Sequence, residues 1–334
     1  MKDIIYNYME DYLNFCKSDK SRSRRTLKVY RISISKYIDL LNFDENFPLE
    51  NIFIASFKPY YDYLFNKGYA LSTLKVKMKS IRLFLIYLES KGIISDISNL
   101  FILDNMRNSY NSEKIEFLEE KANVNKMEYT NLLNSISESD IKALIMKNFD
   151  FSNEFKYGSK KHQKFSRNVV ILILSYYLGL GCDKICDLKS KDVVILDTSI
   201  VISVMSLQGI VHKLYIYDAF YISIIKKYFE ITESLITEIG YFIVNMQSKN
   251  KMTEPTLNRI FRDYKFDNGS IPVKITSKFI RDLRLLHLLK NNENVYYIQQ
   301  LFDYDIDTLL ERVRYFEIYC GLSCNFSTSI NIVT

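Results

Sequence analysis

The first hundred residues carry apolar side chains at intervals of three and four, the period of an α-helix with one buried face. One such series contains Leu27, Tyr30, Ile34, Tyr37 and Ile38. The whole chain of 334 residues has only nine Gly and four Pro, which leaves few turn-forming residues for a sandwich or barrel of many short strands. The sequence therefore predicts a mainly helical protein, and its length favours two domains.

Four helical segments fall within residues 1–107. They are residues 4–16, 27–41, 54–65 and 74–88. These segments predict an all-α first domain over residues 1–107. Residues 108–126 are rich in Asn, Ser and charged side chains and are predicted to form a linker. Residues 127–334 are predicted to form a second domain.

The net charge of +6 is concentrated in the first third of the chain. Residues 1–110 hold 17 Lys and Arg against 12 Asp and Glu, a net charge of +5. Within them, residues 17–36 carry +7 and residues 67–91 carry +5. Both windows coincide with predicted helix starts. Ser23 or Thr26 is the candidate N-cap of the second helix, and Ser72 and Thr73 are the candidate N-caps of the fourth.

A helix N-terminus offers free N–H groups and a positive dipole end, and added Lys and Arg make it a site for phosphate groups. Two such windows in one domain predict a surface that binds a phosphate backbone, and a solvated charged face is the alternative. The candidate contact residues are Arg22, Arg24, Arg25, Lys28, Ser72, Thr73, Lys75, Lys77, Lys79 and Arg82.

The second domain contains one β-rich stretch. Residues 192–197, 200–204 and 212–216 are rich in Val and Ile, and a turn is expected near Gln208-Gly209. This pattern predicts a small antiparallel sheet of about three strands, with helices before and after it. The predicted fold class is therefore mainly α with a small antiparallel β-sheet.

The five cysteines are odd in number and sparse, which favours free thiols. The pairs Cys182/Cys186 and Cys320/Cys324 are spaced by one helical turn, which favours buried thiols over a metal site, so no metal or cofactor is predicted. The longest apolar run, residues 169–180, is shorter than the roughly 20 residues that span a bilayer. The first residues lack a signal-peptide pattern. A cytoplasmic location without membrane contact is therefore expected.

Several segments resemble the tyrosine recombinase (phage integrase) family. Thr26-Leu27-x-x-Tyr30, residues 68–74 and residues 81–92 are similar to the SAM-like core-binding domain of that family. In the second domain, Tyr176 to Val193 resembles the box with a Gly-Leu-Arg turn, and Ile275 to Arg284 resembles the His-x-x-Arg box. Tyr297 to Thr308 resembles the Leu-Gly-His segment, and Arg314-Tyr315 resembles the nucleophile.

The resemblance implies a helical core-binding domain and a catalytic-type domain that close around duplex DNA. It also implies metal-free phosphoryl transfer, in which a tyrosine attacks a phosphodiester and forms a 3′-phosphotyrosine. In the family, two arginines offset the charge on the phosphate, and a histidine and a lysine handle protons.

The family's catalytic positions are only partly matched. The first arginine falls on Gly181 and the strand-turn lysine on Gln208, with Lys213 nearby. The histidine of the second box falls on Arg281, and its arginine is kept as Arg284. The catalytic candidates that the resemblance gives are Tyr315, Arg284, Arg281, Lys213 and Tyr304, with Tyr319 as a second choice of nucleophile. His287, on the face of Arg284, is a candidate to approach the phosphate or a core residue.

These matches and losses predict a DNA-binding protein of the tyrosine recombinase family, from a plasmid, transposon or phage, with a degenerate or repurposed site and an accessory role. The alternative is an active, atypical recombinase or relaxase that cleaves DNA through Tyr315, so the sequence leaves open whether the protein is an enzyme. A third alternative is a protein-interaction module that no longer binds DNA. The tail after Gly321 resembles family C-termini that dock on a neighbouring subunit, and a frayed end is the alternative.

Overall fold

The computed structural model describes residues 2–18, 24–41, 49–94, 112–206, 209–266 and 275–322. The chain divides into two compact units, residues 1–126 and residues 127–334. Residues 112–126 of the segment predicted as a linker are helical. The tail predicted to dock on a neighbouring subunit lies outside the described residues from position 323 onward.

Over residues 2–18, 24–41 and 49–94, the first unit has four helices at the predicted places. They are α1 (Lys2–Ser18), α2 (Arg24–Asp39), α3 (Leu49–Asn66) and α4 (Leu71–Ser90). Helix α2 packs against the other three, since its apolar positions recur at helical spacing. Tyr37, Tyr60 and Phe84 are fully buried in the shared core, and the Tyr37 hydroxyl donates to the Phe53 carbonyl.

The prediction that Ser72 and Thr73 cap helix α4 is wrong. The helix begins at Leu71, and its N-cap is Ala70, in extended conformation and without a side-chain cap. Gly68, at φ +65°, turns the chain into this start, so both hydroxyl residues lie in the first turn. The first-turn N–H groups of α4 therefore have no capping side chain.

Of the two candidate caps of helix α2, Thr26 is wrong, whereas Ser23 stays a prediction. Helix α2 begins at Arg24, so Thr26 lies inside its first turn, and Ser23 lies outside the described residues. The predicted end of helix α4 is confirmed. Gly92 adopts φ +67°, and its N–H donates to the Glu89 carbonyl at 2.8 Å, which is the left-handed ending that glycine favours.

The second unit is helical around a small sheet. Helix α5 (Ser112–Ser135) reaches into it and is followed by α6 (Glu138–Asn153), α7 (Lys160–Tyr177) and α8 (Cys182–Asp187). Strands β1 (Val193–Ile195), β2 (Ile200–Met205) and β3 (Val211–Ile216) come next. Helix α9 (Ala219–Ile239), the strand pair β4 (Val244–Asn245) and β5 (Asn250–Lys251), and α10 (Glu254–Asp263) follow. The described part ends with α11 (Ser277–Lys290), α12 (Val295–Phe302) and α13 (Ile306–Cys320).

Helix α7 is the centre of this unit. Residues 169–174 are all buried, and the helix packs against α6, α9, α10 and α11. A helix covered on all sides needs apolar residues around its whole circumference. This burial explains the long apolar run that the sequence shows in a chain without a membrane pattern.

The predicted sheet is confirmed. Strands β1, β2 and β3 are antiparallel in that order, and Ile200, Ile202 and Val204 of β2 face the core. The turn between β2 and β3 contains Gly209 at φ +80°, while Gln208 lies outside the described residues. The short pair β4 and β5 has too few residues for an alternating pattern to predict it.

Within the described ranges, no helix has both the length and the hydropathy needed to cross a bilayer. The same ranges hold no group of three or more His, Cys, Asp or Glu side chains that could bind a metal ion.

Candidate functional site

Two arginines of helix α11 form the centre of the candidate site. Thr276 is the N-cap of this helix, and its side chain accepts from the Phe279 N–H at 3.1 Å. Arg281 and Arg284 are three residues apart, so they lie one turn apart on the same face. These are the residues at the histidine and arginine positions of the second family box.

Arg281 reaches toward Gly181, at the start of helix α8. A β-carbon built on Gly181 would lie 3.4 Å from Arg281 Nη1. Arg281 also stands over the Tyr304 ring at 5.8 Å and donates to the Phe302 carbonyl at 3.4 Å. The guanidinium thus approaches the position where the family pattern expects another arginine, and the structure brings the predicted residues Arg281 and Tyr304 together.

Arg284 lies between aromatic rings. Its guanidinium is 5.4 Å from the Tyr176 ring centroid and 5.3 Å from that of Tyr177. Its Nη1 is 3.5 Å from Glu138 Oε1, and the side chain is only 11% exposed. The sequence analysis did not identify Tyr177 or Glu138 as site residues. The Tyr-Tyr dipeptide stands inside the first family box, but its stacking role depends on where α11 packs.

Both arginines have a buried donor without a partner. The Nε atoms of Arg281 and Arg284 are buried, and neither has a hydrogen-bond partner among the described residues. Leaving a buried charged donor unpaired costs free energy, and such groups in a native structure call for an explanation. A phosphate oxygen is a strong acceptor for guanidinium donors. The two arginines are therefore suited to bind an anion.

His287 belongs to the layer behind Arg284. Its Nδ1 is 2.8 Å from the Tyr176 hydroxyl, and its Nε2 is 2.9 Å from the Ile136 carbonyl. Burial lowers the pKa of His287, so the ring is held neutral. Both ring nitrogens are engaged in the core, which places His287 behind the Tyr176 ring against which Arg284 stacks.

Lys184, in the segment that resembles the Gly-Leu-Arg box, forms an ion pair. Its Nζ is 2.7 Å from Asp303 Oδ2, with side chains 21% and 16% exposed. In this ion pair the Asp303 carboxylate compensates the positive charge of Lys184. Lys213 lies in β3 opposite Ser203 and is exposed.

Tyr315 has a different set of neighbours. Its ring contacts Phe316 and Tyr319, at centroid distances of 5.5 and 5.0 Å. Burial raises the pKa of Tyr315 to about 12, and the charges of Cys320 and Asp282 contribute in the same direction. The phenol is therefore held in its neutral form.

Asp282, whose charge contributes to the raised pKa of Tyr315, points away from the arginine face. Residues of an α-helix are about 100° apart, so Asp282 lies about 100° from Arg281 and about 160° from Arg284 around α11. Its carboxylate accepts from the Tyr129 hydroxyl at 2.8 Å and lies 3.8 Å from Arg312 Nη1. Tyr315 is thus electrostatically linked to the side of α11 that lies opposite Arg284.

The basic windows of the first unit are described in part. Lys28, Lys75, Lys79 and Arg82 are exposed, while the Lys77 ammonium lies 5.0 Å from the Tyr69 ring centroid. Arg22 and the side chains of Arg24 and Arg25 lie outside the described residues.

The cysteines of the first predicted pair are buried free thiols. Cys182 and Cys186 are both buried, and burial raises the pKa of Cys186 to about 12. A thiol held protonated is a poor metal ligand and nucleophile. Cys324 of the second pair lies outside the described residues.

Comparison with known proteins gives one kind of relative. No protein-family model matches the chain. A curated tyrosine recombinase of Agathobacter rectalis is 23% identical over 303 residues, which cover 89% of this chain and 88% of the relative.

Solved structures of similar fold include recombinases and integrases. The XerH site-specific recombinase bound to its difH substrate has a TM-score of 0.63 at 14% identity, covering 96% of this chain and 83% of that chain. A lambda integrase dimer bound to a COC′ core site gives 0.55 at 16% identity, covering 93% and 76%. The Tn1549 transposon integrase with circular intermediate DNA gives 0.51 at 14% identity, covering 91% and 94%. The chain has the tyrosine recombinase fold, and its curated relative supports the tyrosine recombinase and phage integrase family, which confirms the resemblance seen in the sequence.

Proposed function

We propose that this chain is a DNA-binding protein of a mobile element that holds a DNA phosphate between Arg281 and Arg284 without cleaving the strand. In this view the recombinase site has been repurposed for binding, and the protein acts as an accessory or regulator of recombination. The observation that carries the proposal is that the arginines and Tyr315 contact different rings. Arg281 and Arg284 stand over rings of α7, α12 and Tyr304, whereas the Tyr315 ring contacts Phe316 and Tyr319. The two arginines with unpaired Nε atoms face α7, α8 and α12, while Tyr315 is linked to Asp282, nearly opposite Arg284 on α11.

Duplex DNA is the partner that the charge distribution favours. Residues 1–110 carry +5 of the net charge of +6, and the described lysines of the two windows are mostly exposed. XerH, lambda integrase and the Tn1549 integrase are each described in complex with DNA. The transposon origin of the Tn1549 integrase supports a mobile element as the source.

The side chains that would move protons during cleavage are not assembled around the arginines. The charge of Lys184 is compensated by Asp303, His287 is engaged in the core, and Lys213 lies on β3. The raised pKa of Tyr315 disfavours its nucleophilic phenolate. Loss of one preorganised donor typically costs about 10²–10³ in rate, so the combined loss favours binding over cleavage.

The competing function is DNA cleavage through Tyr315, as in a recombinase or relaxase. The retained guanidinium pair favours it, since two arginines would offset charge on the phosphate. In that reaction the Tyr315 oxygen bonds to phosphorus, the bond to the 5′-oxygen breaks, and the phenolic proton is lost as the leaving 5′-hydroxyl gains one. This reaction needs Tyr315 to turn toward the arginine face.

Two measurements separate these functions. First, sites selected from a random duplex pool should bind the full chain with an affinity that falls as salt rises from about 50 to about 200 mM, because bound phosphates release counterions. Arg284→Ala should lower the salt slope by about one. The double variant Lys184→Met/Asp303→Asn, which removes both charges of one ion pair and keeps the net charge, is the control and should leave the slope unchanged.

Second, a nicked suicide version of the selected duplex should give no covalent protein–DNA adduct. An adduct that disappears in Tyr315→Phe but persists in Tyr319→Phe would replace the binding proposal with the cleavage reaction. Affinity that does not depend on salt would refute both DNA functions and favour the protein-interaction module.

A further inference from the structure

The first unit has a shallow groove between helices α2 and α4 that differs in chemistry from the charged surface around it. Its volume is about 310 Å³. Its lining residues are Val29, Ile32, Ser72, Thr73, Val76 and Lys77. Spacings of three and four place the residues of each helix on one face. The groove therefore combines an apolar floor with two hydroxyl groups and one ammonium group.

The apolar part of the groove is exposed. Ile32 is 51% exposed and Val76 is 48% exposed, whereas Ile34 and Leu74, close by on the same helices, are at most 3% exposed. Single exposed aliphatic side chains are common. Here two of them, on different helices, line the same groove, so the fold places an apolar patch where core packing does not require one.

Positive charge surrounds this patch. Lys28 and Lys75 are exposed beside it, and Lys77 lines it. Across the described part of the chain, none of these three lysines forms an ion pair, whereas Arg31 is paired with Glu10. Residues 24–38 and 71–88 contain no Asp or Glu. An apolar patch within uncompensated positive charge matches a polyanion that also presents apolar groups.

The major groove of DNA has this chemistry. Phosphates line both of its edges, and thymine alone among the four bases presents a methyl group there. RNA fits less well, because uracil lacks the methyl group and the major groove of an A-form helix is deep and narrow.

We propose that the α2–α4 groove lies against the major groove of duplex DNA and selects thymine through contacts of Ile32 and Val76 with its 5-methyl group. This inference rests on the proposed DNA-binding function and adds a sequence preference to it. Lys28, Lys75 and Lys77 bind the flanking phosphates, and Lys77 is oriented by the Tyr69 ring. Ser72 and Thr73 are placed to donate hydrogen bonds to phosphates or base edges.

The test compares thymine with uracil in an otherwise identical duplex. Sites are selected from a random duplex pool with the full chain and are then made with thymine or with deoxyuridine, which removes only the methyl group. Wild-type protein should bind the uracil duplex about fourfold more weakly for one lost methyl contact and about fifteenfold more weakly for two. The double variant Ile32→Ala/Val76→Ala should bind both duplexes with equal affinity.

Matched controls come from the same chain. Ile4 is 54% exposed on α1 and Val124 is 49% exposed on α5, so Ile4→Ala/Val124→Ala removes the same atoms from similarly exposed places. This control should keep the wild-type preference for thymine. Circular dichroism of both double variants should match the wild type, since none of the four side chains is in the core.

The outcomes separate this inference from the function on which it rests. Salt-sensitive binding with equal affinity for thymine and uracil duplexes would overturn the thymine contact and leave DNA binding intact. A thymine preference that survives in Ile32→Ala/Val76→Ala would also overturn it, by placing the contact elsewhere. Absence of salt-sensitive duplex binding would overturn the DNA function and this inference with it.

Discussion

Arg281 approaches the position that a side chain on Gly181 would occupy, since a β-carbon there would lie 3.4 Å from Arg281 Nη1. The family pattern expects one guanidinium to come from position 181. Here the guanidinium comes from α11, a different element, and Gly181 leaves room for it. The two positions are therefore expected to be coupled.

A double-mutant cycle measures this coupling. Gly181→Arg should lower the free energy of unfolding by about 1–3 kcal/mol, because it places a second guanidinium against Arg281 in a packed site. Arg281→His in the same protein should recover most of that loss, giving a coupling energy of about 1–3 kcal/mol. The measurement is urea unfolding of the wild type, both single variants and the double variant.

Gly181→Ala is the control for that cycle. Its β-carbon would meet Asp183 Oδ1 at 2.5 Å, and a rotation of that side chain relieves the contact. The loss should therefore be small and independent of Arg281. Additive effects of Gly181→Arg and Arg281→His would show that the two positions are not coupled.

Glu138 competes with any anion at Arg284. Their ion pair is 3.5 Å long, and the Glu138 side chain is half exposed, so the pair contributes about 0.2–1 kcal/mol. Glu138→Gln should therefore tighten binding of duplex DNA by up to about fivefold, measured at low salt by fluorescence anisotropy. The matched change Glu154→Gln, elsewhere on an exposed surface, should have little effect. Unchanged or weaker binding by Glu138→Gln would mean that Arg284 does not contact the DNA.

His287 makes the stability of the second unit sensitive to acid. Burial holds the pKa of His287 below its ordinary value of 6.5, so the unfolded chain takes up a proton at higher pH than the folded chain. The stability that the neutral ring contributes is present above pH 6.5 and is lost as the pH falls through the lowered pKa. Unfolding free energies measured from pH 7 down to pH 5 should fall less steeply in His287→Gln than in the wild type.

His212→Gln serves as the comparison for that measurement, because its side chain is only half-buried on strand β3. It should keep the wild-type slope. Equal slopes for the wild type and His287→Gln would exclude a buried neutral ring at this position.

Tyr315 should affect stability at alkaline pH. Its pKa of about 12 in the folded chain, set first by burial, exceeds the ordinary value of 10. The unfolded chain therefore loses the phenolic proton first, and the contribution of Tyr315 to stability is complete below pH 10 and disappears as the pH rises through 12. The difference in unfolding free energy between the wild type and Tyr315→Phe should be constant up to pH 10 and then decrease.

Tyr296→Phe, at a ring that is 63% exposed, is the reference for that series and should parallel the wild type. A Tyr315→Phe difference that does not change above pH 10 would indicate that the phenol is solvated. Such a phenol would be better placed to act as a nucleophile, which would favour cleavage over binding.

Much of the fold was predictable because it depends on local patterns. Helices α1 to α4 follow apolar residues at helical spacing, and strands β1 to β3 follow alternating Val and Ile. The errors lie at helix starts. Ser72 and Thr73 have the side chains of N-caps, but the chain enters α4 through the turn at Gly68, so the helix begins earlier. The start of a helix depends on the direction of the preceding chain as well as on capping propensity.

The site was predictable only in part. The resemblance identified Arg281, Arg284, Tyr304 and Tyr315 as candidates, and the structure brings Arg281 and Tyr304 together. The resemblance gave no indication that Glu138 pairs with Arg284, since 146 positions separate them in the sequence. The resemblance also did not indicate that the charge of Asp282 acts on Tyr315. Arg314-Tyr315 matches the family nucleophile by its sequence alone, and the sequence does not say where the side chain points.

The sequence by itself determined the helical class, the small sheet, the concentration of charge in the first unit and the loss of an arginine at Gly181. Local periodicity and composition are enough for the helical class, the sheet and the charge distribution, since each depends on neighbouring residues. The loss of an arginine at Gly181 follows from the resemblance to the family. Only the tertiary structure decided that Arg281 approaches the space at Gly181 and that Lys184 forms an ion pair with Asp303. It also decided that Asp282 and Arg284 lie on nearly opposite sides of α11. These relationships depend on how distant helices pack, and packing fixes which charges meet and which remain unpaired.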